Sequence, residues 1–440
     1  MFGRRSLLFG ALGVALTRDA FARGRTPVGG KFAMRVPFPL ASIDPHRLED
    51  AAAAIFESAL FDTLYAQEGG QIVPSLAEGD PEPDGASLRV KLRGGLRTGR
   101  GKPIGTKDVV ASIARARNAG AKGWLTDIPP PREDGRSLLF ATKDATRLVK
   151  ALASPLVAIV PSGFSPEAPD GTGPFRISQS GDAFVFSRNP FAARGPAFLD
   201  EIVVRVAPDV SATLRAFESG ADDVAWFERG LHEPRSKSLA FDYGAVALAV
   251  LFTGRDAVQW DAPGVAQGIC DSVPYSALAG LKVGASWTTG PNVGWGAPPA
   301  PLYVRDDCAW LVECAKNIAA IITRPSHEIT ARPVPYAEIV QRRTVRNHAL
   351  LLDIVRPLAP NSFGAMVALA SADDPTRAAS VVQHPPRLGD VPARTLTRTL
   401  RCGVAGEIRV QGGRMPEINL APSGSGAGFD LGATWRTRPR

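Results

Sequence analysis

Residues Ala245 to Phe252 are apolar without a break. A strand of that composition cannot face water on either side, so it must lie inside a sheet that is covered on both faces. The rest of the chain supplies the covers. Phe32, Met34, Val36 and Phe38 alternate with small or polar neighbours over Lys31 to Phe38, which predicts a strand. Phe56, Leu60 and Leu64 fall four apart between Ala51 and Tyr65, the spacing of one buried helix face. Leu88, Val90 and Leu92 alternate with Arg89 and Lys91, a half-exposed strand, and Thr106 is positioned to cap the helix that carries Val109 and Ile113. Later segments repeat the alternation: helix Ala309 to Ile322, strand near Glu328 to Val334, helix Tyr336 to Arg343, strand Ala349 to Val355. Units of this size in this order predict an α/β protein with helices flanking a sheet. Strands return at Leu396 to Leu400 and Glu407 to Val410, before a Gly/Ser loop at Ser423 to Gly428.

At 440 residues the chain exceeds one ordinary core and implies two or three globular units. Its start carries an address. Arg4 and Arg5 precede an apolar run from Ser6 to Leu16, and Ala20 and Ala22 stand at the two positions a signal peptidase reads. This is the layout of a cleaved secretory signal over residues 1–22, too short to span a bilayer, and it resembles a twin-arginine signal, with Sec export also open. With no Cys near the cleavage point, a lipid anchor is not expected. In an oxidising compartment Cys270, Cys308, Cys314 and Cys402 could pair in three ways. Cys314 shares a helical row with Trp310, Ile318 and Ile322, the position of a buried packing thiol.

The 51 basic and 43 acidic residues leave a net charge of +8, but the charges are scattered and form no basic arm, so a nucleic-acid partner is not expected. Catalytic signatures are missing. Gly101-Lys102 is followed by Pro103 and lacks the upstream glycine of a phosphate loop. His327-Glu328 begins a zincin-like motif, but Ala331 stands where the second His belongs. The five histidines show no ligand spacing, so neither a metal site nor another cofactor is expected, and no enzyme.

A set of short motifs points instead to binding. Ser42-Ile43-Asp44-Pro45, Leu60-Phe61-Asp62-Thr63-Leu64, Ile72-Val73-Pro74-Ser75-Leu76-Ala77-Glu78 and Lys91-Leu92-Arg93-Gly94-Gly95 come first. Gly101-Lys102-Pro103, Asp108-Val109-Val110, Gly171-Thr172-Gly173-Pro174-Phe175 and the stretch Ala216 to Val224 follow in that order. The chain resembles the family 5 extracellular solute-binding proteins, which serve ABC importers of peptides and nickel, in a divergent and shortened form. The resemblance implies a two-lobe periplasmic-binding-protein fold of the peptide-binding type, with an extra subdomain on the first lobe. Lobe I would cover residues 23–244 with an inserted subdomain at about 46–168, lobe II residues 245–393, and residues 394–440 would return to lobe I.

The function so implied is capture of a small polar ligand, a peptide above all, between two lobes of a periplasmic monomer, which then delivers it to an ABC permease in the inner membrane. The alternative is a relative that has lost transport and senses or interacts in the periplasm. Absence of the family's Trp-x-x-Asp-Tyr-Pro-Asp-Pro segment favours that alternative. For ligand termini the candidates are Asp353 and Arg356, at the end of the apolar strand Ala349 to Leu352, because strand ends facing a cleft hold ligand groups in α/β sheets. Trp287 and Trp295 are further candidates for the cleft lining. If the leader reading is right, amino-terminal sequencing of the exported protein returns Arg23 as the first residue; a full-length cytoplasmic chain contradicts it.

Overall fold

The structure, a computed structural model, describes residues 26–226, 237–256, 260–272, 299–323, 325–385 and 396–437. Its first strands are β1 (Lys31–Val36), β2 (Tyr65–Glu68), β3 (Gln71–Pro74), β4 (Glu82–Asp84), β5 (Ser87–Lys91), β6 (Arg132–Asp134), β7 (Ser137–Phe140), β8 (Phe175–Ser180) and β9 (Ala183–Arg188). They are followed by β10 (Glu201–Val206), β11 (Val224–Trp226), β12 (Leu239–Thr253), β13 (Ala300–Arg305), β14 (Ile329–Val334), β15 (Leu350–Val355), β16 (Cys402–Arg414), β17 (Ile418–Pro422) and β18 (Phe429–Arg436).

Ten of these form one sheet in the order β14-β13-β15-β12-β16-β11-β1-β10-β9-β8. Its centre is the long antiparallel pair β12 and β16. At one end of that pair Gly412 to Arg414 also bonds to β11, which continues through the parallel strands β1 and β10. At the other end Leu248 to Thr253 bonds to β15, which continues through the parallel strands β13 and β14. The two halves of the sheet are therefore joined through β12 and β16. Between the halves the pairing slips at Asp242/Ala245, Ala245/Ala247 and Ala249/Val250, and Gly244 takes a positive φ of 75°. Bulges of this kind bend a strand and increase its twist.

The unbroken apolar run behaves as its composition requires. Ala249 and Leu251 belong to one apolar core, with Phe32, Ile202, Leu302 and Ile318, while Val250 and Phe252 belong to a second, with Leu88, Leu125, Leu351 and Val367. A small antiparallel sheet, β4-β5-β7-β6, stands in this second core with Leu88, Val90, Leu138 and Phe140 buried.

Helix α1 (Ala51–Leu60) begins at Asp50, whose carboxylate accepts the N–H of Ala53. It ends at Leu60, earlier than the four-residue spacing to Leu64 suggests, because the chain turns extended at Phe61 and the Gly-Thr-Gly turn crosses underneath. There the N–H of Gly173 donates to the Leu60 carbonyl at 3.0 Å. Gly105, not Thr106, caps the helix Thr106–Asn118, with the Asp108 carboxylate accepting the Gly105 N–H. The segment Leu396 to Leu400 is a helical turn rather than a strand: the N–H of Thr399 donates to Leu396 O and that of Leu400 to Thr397 O. Its Thr/Leu alternation mimics a strand, but the Thr399 hydroxyl bonds back to Leu396 O and closes the turn.

A methyl group on Gly171 would come within 2.2 Å of Leu60 O, and one on Gly173 within 2.6 Å of Leu60 C. Gly173→Ala is therefore expected to cost about 1–3 kcal/mol of stability, the usual range for overpacking, read by urea unfolding. Gly79→Ala, where nothing lies within 4 Å of the added methyl and φ is not positive, should cost less.

Candidate functional site

One cavity is bounded by segments that flank both halves of the sheet and by the strand that joins them. The cavity holds about 480 Å³, within the usual range for a small-molecule site. One wall is α1 and the residues after it, Glu57, Ser58, Phe61 and Asp62, with Glu68 and Ser75 from the β2–β3 hairpin. The facing wall is the loop Arg356 to Pro360 that follows β15. The floor is Ala245 and Val246, at the slipped pairing of β12, and the β17–β18 loop from Pro422 to Asp430 closes one side.

The charged groups divide into two sets. Arg356 holds Glu57 at 2.6 Å and donates to the carbonyls of Pro45 and Arg47 at 3.0 and 3.2 Å. Burial pushes the Glu57 carboxyl up to about 8, against the pull of Arg356. At the other end Arg194 lies 2.9 Å from Asp62 and 3.2 Å from Glu68. Asp62 is fixed from behind by the Thr172 hydroxyl at 2.8 Å, so the Gly-Thr-Gly turn that stops α1 also aims the acid just beyond its end.

The segment Asp44 to Asp50 ties the halves together beside this cavity. Leu48 O accepts the N–H of Arg356 at 2.7 Å, and the Glu49 carboxylate lies 3.3 Å from Arg343. His46 sits beneath, its Nε2 2.8 Å from Ala158 O and its Nδ1 2.7 Å from Arg115 Nη1. Since a guanidinium only donates, Nδ1 must accept and the proton belongs on Nε2. Burial lowers the pKa of this ring to about 4. A second hollow of about 450 Å³ opens on the far side of the same segment, between Arg47 and Asp50 on one flank and Arg305 and Tyr336 on the other.

Asp353 and Arg356 are not brought together. Three positions apart, the end of an extended strand turns them to opposite sides. Arg356 lines the principal cavity, whereas Asp353 does not: it is 1% exposed, its carboxylate 3.0 Å from Arg343 and accepting the N–H of Ile354. Burial raises its pKa to about 6. Trp287, Trp295, Ala20 and Ala22 lie outside the described residues. Cys270, Cys308, Cys314 and Cys402 are buried and unbridged, Cys314 in the helical row with Trp310, Ile318 and Ile322. Glu57, Arg194 and Asp430 had no signal in the sequence beyond being charged; Ser423 and Ser425 had one, the Gly-rich loop, without a direction.

Residues 71–239 match the family described as bacterial extracellular solute-binding proteins, family 5, middle region. No curated protein sequence matches the chain. Solved structures share the fold over nearly its whole length. The oligopeptide-binding protein AppA from Bacillus subtilis, in complex with a nonapeptide, is 13% identical with a TM-score of 0.69, covering 94% of this chain and 100% of that one. The periplasmic binding protein DppA from Helicobacter pylori, bound to a peptide, is 14% identical with a TM-score of 0.68, covering 94% and 99%. NikA from Staphylococcus aureus, in complex with Ni(L-His)2, is 15% identical with a TM-score of 0.66, covering 93% and 100%. The fold is thus the α/β two-lobe periplasmic-binding type, as the motif order from Ser42 to Val224 implied. No helix among the described residues is long and apolar enough to cross a membrane.

A histidine held neutral in the folded state has its pKa depressed, so the unfolded chain binds the proton first as pH falls from about 6.5 towards 4. That contribution to stability is present above pH 6.5 and lost through this window. Wild type should therefore lose on the order of 3 kcal/mol more than His46→Gln between pH 7 and pH 4, measured by denaturant unfolding at each pH; equal losses would show that His46 is not buried neutral.

Proposed function

We propose that this chain, whose residues 71–239 belong to the family 5 extracellular solute-binding proteins, captures a small polar solute, a peptide above all, between its two lobes without altering it. The observation that carries the reading is the cavity of about 480 Å³ walled from both halves of the sheet, with Ala245 and Val246 of the joining strand as its floor. A ligand in that position touches both halves only when they are closed. Its binding therefore draws the open and closed populations towards closure.

In this reading lobe I runs to about Gly244 with an inserted segment at about 46–168, lobe II covers residues 245–393, and residues 394–440 return to lobe I. The irregular pairing at Asp242 to Ala247 supports a hinge there. Arg356 is the group on the lobe II wall able to meet a ligand acceptor, in competition with Glu57. The closed protein would act in the periplasm, where the leader expected at residues 1–22 would send it, and hand its ligand to a membrane permease.

Ala245→Trp fills the floor of the cavity. It should leave the far-ultraviolet circular dichroism of the protein unchanged and abolish the calorimetric heat of tripeptide binding that wild type gives. Undiminished binding in the variant would place the ligand elsewhere.

A further inference from the structure

The cavity carries a charge opposite to that of the chain around it. Three carboxylates line it, Asp62, Glu68 and Asp430, together with the acid Glu57, against two guanidiniums, Arg194 and Arg356, on a protein of net charge +8. Glu57 and Arg356 form a pair at one end. The excess lies at the other, where Arg194 is shared between Asp62 and Glu68 and is also raised in pKa by Asp430, burial opposing all three. Asp430 itself accepts one backbone N–H, from Ala433.

A second observation at the same cavity points to a ligand. Ser75, 1% exposed, lines it, and its Oγ has no hydrogen-bond partner among the described residues. A buried hydroxyl without a partner costs free energy that a bound polar group would recover. Carboxylates and a hydroxyl are acceptors suited to an N–H-bearing cation, and a walled cleft of one sign concentrates such a solute far more than exposed charge does.

Resting on the reading that a solute binds in this cavity, we propose that the solute is an organic cation, whose ammonium or guanidinium group seats beside Arg194 among Asp62, Glu68 and Asp430. Anionic solutes of equal size are excluded by the same field. The chain would thus sort solutes by charge at this end of the cavity.

Calorimetry on the exported protein at low salt tests this with the tripeptides Ala-Lys-Ala, Ala-Ala-Ala and Ala-Glu-Ala. Ala-Lys-Ala should bind at least about 10-fold tighter than Ala-Ala-Ala, and Ala-Glu-Ala most weakly. Asp430→Asn keeps the bond to Ala433 and should narrow that spread, as should Glu68→Gln if the first variant melts early. Equal affinities, a reversed order, or a spread that neither variant changes would overturn the charge assignment and leave solute binding standing. If none of the three peptides nor the diamine putrescine binds, the solute-binding reading falls and this proposal with it.

Discussion

The pairing of β12 with β16 is the constraint on which the rest of the molecule depends. Two antiparallel strands carry the backbone bonds between the halves of the sheet, so every statement about where one half lies relative to the other is a statement about this ladder. A regular ladder would be stiff. This one slips where the apolar run begins, and a glycine with positive φ sits beside the slip. The cavity floor lies at the same place. A bend in the strands there would therefore change the shape of the cavity.

Around that joint the chain buries an unusual amount of charge. Glu49, Asp353 and Arg356 are buried, and the half-buried Arg343 and Glu57 pair with them: Glu49 with Arg343, Asp353 with Arg343, and Arg356 with Glu57. Such pairs repay their desolvation poorly and add little net stability, but removing one partner leaves the other stranded. Their effect is on geometry. A hydrophobic contact tolerates sliding, whereas the Arg356 guanidinium, bonded to Glu57, Pro45 O and Arg47 O at once, fits in one place.

The sequence made legible whatever is periodic. The alternation in β1 and β5, the row Trp310, Cys314, Ile318, Ile322 and the two-faced strand after Gly244 are all visible in side-chain order, since burial repeats with backbone geometry. The front of β12, Leu239 to Gly244, has mixed polarity and was not readable as the same strand. Leu396 to Leu400 alternated and yet coils, because a threonine hydroxyl competes for the backbone. The site was less legible for a different reason. Glu57, Arg194 and Asp430 belong to no period, and their meeting depends on tertiary approach. Arg356 could be picked out as the end of an apolar strand, but the pattern does not say which face of the sheet looks into the cavity.

The β17–β18 loop has a consequence for the order in which the protein becomes itself. Its contact with α1 joins Ser58 to Phe429, residues 371 apart in the chain. Contacts of that separation close last, after the local hairpins and helices have formed, because the entropy of so large a loop must be spent before any bond rewards it. On that argument the cavity is expected to be among the last parts of the fold to close. A chain can thus possess both sheet halves and still lack this cavity until its end comes back to its beginning.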